Sequence, residues 1–448
     1  MSNKGYEPQD DTLSLIRDNA RKELGQRIKK LREKYSLTQT HLADGICTPS
    51  MISQIESGRA FPSFQIMSLL AAKLEISVEA LTRGLEPGLS TSMQVRKMKT
   101  LKEKGDAKTA NELADLLIKN KDLLPEALFE IKMDKAECLI LMKRYDEAIE
   151  YLTELIQEEK EAAPRDTYTL TTLFNLLGRA SLDSHKIIEA HRALVLAENL
   201  IDDTEGTDLL YGKIYYNLGR CFEHMDRTER AIDYYSKAER IYAKLSNDQT
   251  KLADLHYSLG ITFSKQDKIK LAQENLDIAQ TLYKTASNLA MMNRVRETYA
   301  YLVTSRFDRS AAKSELINCI SHANVHEDSL HIPYIYARLL SLALDDHNLN
   351  EADHYASQIS TCNIMNAYDI RSAFIQQVLA RFQLLSKNYE EAIKSANNSA
   401  TIFDKIGLKK EAIKSLQLEV DAYEFTGDLH TALSVSKKIT QLFQNEGM

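Results

Sequence analysis

Nothing in this 448-residue chain is spaced for bond-making chemistry. Its eleven histidines and its carboxylates show no metal-ligand spacing, and neither GxxxxGKS/T nor GxSxG occurs. No enzyme activity and no cofactor are therefore expected. The chain does carry polar side chains spaced for recognition. Asn175, Arg179, Tyr216, Asn217, Arg220, Tyr257, Tyr301 and Gln377 fall into columns whose steps are close to 40 residues or multiples of it. An extended peptide needs such a surface. Amides bond its backbone, aromatic faces take its side chains, and arginines take its carboxylates.

The column follows from a stronger periodicity. Alanine recurs as Ala110, Ala148, Ala190, Ala231, Ala272, Ala312, Ala352, Ala392 and Ala432, at steps of 38, 42, 41, 41, 40, 40, 40 and 40 residues. A fixed period of this size marks stacked supersecondary units, each burying its apolar face only against its neighbours. In YYNLGRCFEHMDRTERAIDYYSKAERIY the offsets of Leu218-Gly219, Ala231 and Ala238 match the tetratricopeptide pattern. Gly178, Gly219 and Gly260 repeat it at steps of 41 residues. The reading is about nine helical hairpins over 96–448, in a right-handed superhelix whose first helices line the concave side.

A different segment precedes the repeats. Residues 21–84 divide into five short helices, the first with Leu24, Ile28 and Leu31 on one face. Thr38 opens the second, Thr48-Pro49 the third, and Ser57-Gly58 stops it. LTQTHLADGICTPSMISQIESGRAFPS resembles the helix-turn-helix of phage-repressor and xenobiotic-response-element regulators, with a turn one residue shorter than usual. In that motif the second helix lies in the major groove and the first crosses the backbone. The match implies that Thr48, Pro49, Ser50, Ser53 and Gln54 face DNA. Gln54 has the amide that can bond adenine bidentately. It also implies that Thr38, Gln39 and Arg59 bond phosphates. Ile52, Ile55, Leu42 and Ala43 are expected in the core.

Charge fits this division. Residues 21–84 hold ten Lys/Arg against six Asp/Glu, whereas 85–448 hold 45 against 54. A basic head on an acidic body suits a DNA reader joined to a scaffold. No apolar run reaches the length of a membrane span, and MSNKGYEPQDD is no signal peptide. Five scattered cysteines without a CxxC pair read as buried thiols of a reducing cytoplasm. The expected divisions are 1–20 as an extension, in which Leu13, Ile16 and Ala20 could lengthen the first helix or pack in a dimer, 21–84 as the head, 85–95 as a linker and 96–448 as the repeats.

A repressor-type head followed by 40-residue repeats resembles the RRNPP group of peptide-pheromone receptors, most closely its Npr- and Plc-type transcription factors. The resemblance implies a cytoplasmic, peptide-responsive regulator. A short signalling peptide would bind the concave groove, and homodimers or higher oligomers would place two heads on palindromic double-stranded DNA. Asn175 and Asn217 stand where the family holds the peptide backbone. Two alternatives remain at this point. The repeats could dock a phosphorelay protein as Rap-type relatives do, with Lys97, Lys99, Lys102 and Lys104 on the docking face. Or they could serve only to oligomerise a ligand-independent repressor.

Overall fold

The structure is a computed structural model that describes residues 11–60, 62, 64–82, 87–119, 125–162, 166–201, 208–245, 249–322, 330–362 and 369–444. Among them the regular elements are helices alone. The chain forms two compact units, 1–151 and 152–448.

The first unit opens with five helices: α1 (Asp11–Lys34), α2 (Gln39–Ala43), α3 (Pro49–Glu56), α4 (Phe64–Lys73) and α5 (Val78–Thr82). Thr38 and Thr48 cap α2 and α3, their hydroxyls accepting from His41 N and Met51 N at 3.1 and 3.3 Å. These bonds satisfy amides that a helix start leaves without partners. Leu24, Ile28, Leu42, Ile52, Ile55, Met67, Leu70 and Leu81 form the core. At Gly25 a Cβ would collide with the Ile55 carbonyl, so α1 crosses α3 backbone to backbone. The first helix starts well before Leu24. The side chains of Leu13, Ile16 and Ala20 lie outside the described residues.

Next come α6 (Pro87–Glu103), α7 (Ala107–Ile118), α8 (Pro125–Leu141) and α9 (Tyr145–Glu161). Most of the stretch expected as a linker, from residue 87 onward, is therefore the first half of α6. The division between the units falls inside α9, not near residue 84 or 96.

The second unit continues with α10 (Thr167–Asp183), α11 (Ile187–Glu198), α12 (Leu209–His224), α13 (Thr228–Leu245), α14 (Gln249–Lys265) and α15 (Ile269–Thr285). It ends with α16 (Leu289–Leu302), α17 (Arg309–Ser321), α18 (His331–Asp345), α19 (Leu349–Thr361), α20 (Ile370–Leu385), α21 (Tyr389–Lys405), α22 (Lys409–Thr426) and α23 (Leu429–Gln444). Paired from α6 onward, these make nine hairpins among the described residues. Each ladder alanine is the fourth residue of the second helix of its pair. All nine are at most 3% exposed. A methyl group there lets the two helices close. The glycines do the same from the first helix. A Cβ at Gly219 would sit 2.5 Å from the Tyr235 ring, and one at Gly260 2.7 Å from Leu276 Cγ.

The turns share one device. Five residues before the ladder alanine the backbone turns left-handed at Gly105, Lys143, His185, Asp226, Asp267, His347, Lys387 and Gly427, with φ between 54° and 86°. The α16–α17 hairpin departs from this pattern. A 3₁₀ turn, Thr304–Arg306, fills the corner, and Phe307 takes φ −112°.

Candidate functional site

In the head, Thr38, Thr48, Pro49, Ser50, Ser53, Gln54 and Arg59 are all exposed, and Ile52 and Ile55 are buried. The outward face of α3 thus presents hydroxyls and one amide, as expected of a groove-reading helix. Gln39 is different. Its Nε2 donates to Glu56 Oε2 at 2.8 Å, while Arg32 donates to the same carboxylate at 2.6 and 3.0 Å. Glu56 is only 7% exposed, so this cluster ties α1, α2 and α3 together. The Gln39 amide is engaged inside the head rather than displayed.

The expected groove residues all lie on the first helices of the hairpins, and the structure brings them together in neighbouring pairs. Asn217 Nδ2 donates to Asn175 Oδ1 at 3.0 Å, with both residues buried. Tyr216 meets Ser258 at 3.4 Å, Tyr257 meets Thr298 at 3.0 Å, and Tyr301 donates to Ser341 at 3.3 Å. Gln377 donates to Ser415 at 3.0 Å. Each bond joins the first helix of one hairpin to that of the next. The column is therefore a polar ladder between repeats as well as a lining. Burial pushes the Tyr216 phenol up to about 12, so it stays neutral.

Charge gathers at one end of α10 and α12. Asp183 accepts from Arg220 at 2.9 Å and lies 3.8 Å from Arg179. One carboxylate thus serves two guanidinium groups, leaving donor capacity on the arginines for a further anion. Nearby, Glu223 accepts from Tyr235 at 2.9 Å and from Lys265 at 3.0 Å. Burial raises the Glu223 carboxyl, but Lys265, His224 and Tyr235 outweigh that and hold it below the usual range.

The sequence columns missed a second cluster. Arg338, 6% exposed, lies between the rings of Tyr301 and Tyr334, with centroids at 4.9 and 4.6 Å, and pairs with Glu297 at 3.1 Å. His331 Nε2 is 2.9 Å from the other Glu297 oxygen. Glu297 stood in the column and Arg338 one residue beyond it. Their pairing depends on the rotation between hairpins, which spacing does not reveal.

The lysines expected on a docking face are largely engaged. Lys99 pairs with Glu130, and Lys102 pairs with Asp134 and Glu137. Of the cysteines, Cys138, Cys221 and Cys319 are buried and Cys47 and Cys362 half-buried. Burial pushes the Cys221 thiol up to about 12. Among the described residues no helix is long and apolar enough to cross a membrane.

Comparison with known proteins agrees with this division. Residues 28–81 match a helix-turn-helix family, and 129–161 and 212–245 match tetratricopeptide repeats. The transcriptional activator NprA of Geobacillus stearothermophilus is 23% identical over 372 residues, which cover 80% of this chain and 77% of NprA. A Rap protein complexed with competence and sporulation factor superposes with a TM-score of 0.57 at 11% identity, over 81% of this chain and 99% of that one. The apo quorum sensor NprR of B. thuringiensis gives 0.54 at 10% identity, over 79% and 99%. A repressor-type head, the repeats behind it and these relatives together support an RRNPP-type regulator.

Proposed function

We propose that the chain is a peptide-responsive transcriptional regulator. A short signalling peptide binds along the first helices of the hairpins and shifts the superhelix between curvatures. The curvature or oligomer state then governs how paired heads engage palindromic DNA. The observation that carries this reading is the column of amides, phenols and arginines from Asn175 to Gln377. Its amides suit a peptide backbone, and Arg179 and Arg220 suit a carboxylate. On the head, Thr48, Pro49, Ser50, Ser53 and Gln54 would face base edges, with Thr38 and Arg59 on phosphates.

A ligand shifts such an equilibrium only by its differential affinity for the two states. The polar ladder supplies that difference. Its bonds join adjacent repeats, so a peptide that takes over one partner changes the contact between two hairpins.

The test is calorimetric titration of the purified protein with synthetic heptapeptides to decapeptides drawn from small secreted precursors encoded beside its gene. Micromolar or tighter binding, lost in Asn175→Ala and Arg220→Ala, is expected. Absence of binding by a protein that still shifts a palindromic operator would instead point to a ligand-independent repressor or a docking scaffold.

A further inference from the structure

Three contacts within the second unit join turns that are far apart in sequence. Lys410, at the start of α22, pairs with Asp226 in the α12–α13 turn, 184 residues away. Asp369, which caps α20 by accepting from Arg371 N at 2.7 Å, interacts electrostatically with His185 in the α10–α11 turn. Gly407, with φ +81°, packs its backbone on Ile187, the first residue of α11. In each case a turn inside an early hairpin meets the entry to a first helix four to five repeats later. Opposite edges of the array touch, so one superhelical turn stacks on the next.

We infer that these contacts form a clasp that fixes the superhelical pitch and closes the side of the groove. The clasp adjoins the charged end of that groove. Asp183, the partner of Arg220 and Arg179, lies two residues before His185. Drawing Arg220 toward a ligand loosens its hold on Asp183, and with it the turn that bears on Asp369. The closing contacts are an exposed ion pair, a charge interaction and one small apolar contact. Such contacts are individually weak, which suits a clasp that must reopen. An extended heptapeptide is roughly 23 Å long, and with the clasp shut it can enter only from an end. The gating of a peptide rests on the function proposed above; the clasp itself does not.

A disulfide can report it. A Cβ built at Gly407 falls 4.0 Å from Ile187 Cβ, within the range of about 3.5–4.5 Å that a disulfide spans. In a background with Cys47→Ser and Cys362→Ser, Ile187→Cys with Gly407→Cys is expected to form an intramolecular bond on oxidation. It should slow association of a peptide that binds the reduced protein at least tenfold. Asp226→Lys, which sets two lysines against each other, should enlarge the radius of gyration in X-ray scattering and speed association. A folded double variant that forms no disulfide, or a radius unchanged in Asp226→Lys, would overturn the clasp. Equal association rates in the oxidised and reduced forms would overturn its gating role. If no peptide binds even the reduced protein, the proposed function fails while cross-linking and scattering still decide the clasp.

Discussion

Gly219 shows how little room a single position leaves. The Tyr235 ring that a Cβ would strike is held on two sides, tilted against Tyr216 at a centroid distance of 5.8 Å and donating to Glu223. Gly219→Ala is expected to cost about 1–3 kcal/mol, the range for overpacking a filled core, as read by urea denaturation. His224 supplies the pH counterpart. Burial lowers it from 6.5 to about 4, with Arg220, Lys265 and His185 acting in the same direction and Glu223 opposing. The unfolded chain thus takes up this proton below about 6.5, while the folded chain resists until about 4. Stability is full above that window and falls as pH drops through it, by on the order of 2–3 kcal/mol. His224→Gln should flatten the loss between those pH values, as thermal melts at stepped pH would show. An unchanged slope would place the acid sensitivity in other groups. At Gln54 the readout is DNA. Gln54→Ala should cost about 1–3 kcal/mol at one base position and relax its specificity, which gel shifts over a set of substituted operators would resolve. Equal losses for every operator would mean that the amide contacts phosphate only.

At the scale of the hairpin, one slot recurs with different occupants. Gly427 and Lys387 hold the same left-handed turn position, with φ 82° and 63°. A non-glycine residue is disfavoured there by roughly 1–2 kcal/mol, and glycine loses about 0.5–1 kcal/mol more chain entropy on folding. Lys387→Gly should therefore stabilise by up to about 1 kcal/mol and Gly427→Ala should destabilise, measured as opposite shifts in melting temperature. Shifts of the same sign would show that the turns are not equivalent. The nine hairpins were legible because alanine at the fourth position of the second helix is a steric demand that each unit repeats. The turns were not, since Lys, His, Asp and Gly all fill the slot. The α16–α17 corner shows the gap most clearly. Ala312 keeps its register and is fully buried, yet a 3₁₀ turn replaces the usual corner before it. The groove was legible in part for a related reason. Register places Asn175, Tyr216 and Tyr257 on the right helices. Their partners Asn217, Ser258 and Thr298 are set by the rotation between hairpins, and of these only Asn217 entered the expected column. Gln39 fits the DNA-binding motif by sequence, but Glu56 engages it because the three head helices converge there.

For the whole chain, the charge division and the ladder concern two different ligands. The basic head suits a polyanion and the repeats suit a peptide, and regulation requires that binding one alters binding of the other. That requirement can be tested without knowing how the two units are arranged. If a peptide changes operator affinity by some factor, the operator must change peptide affinity by the same factor, because both describe one coupling free energy. Couplings of this kind are typically 1–3 kcal/mol, or about 5–150-fold. Calorimetric titration of the peptide into protein alone and into protein saturated with operator should therefore give dissociation constants that differ by at least about fivefold. Gel shifts with and without saturating peptide should return the same ratio in the same direction. The Asp226–Lys410 contact adds a finer expectation. Asp226→Lys should shift both affinities if the pitch is the shared variable, and peptide association alone if the clasp only guards entry. Identical peptide affinities with and without operator would mean that the groove and the head act independently. The polar ladder would then be a structural seam between repeats, and the regulatory input would lie elsewhere.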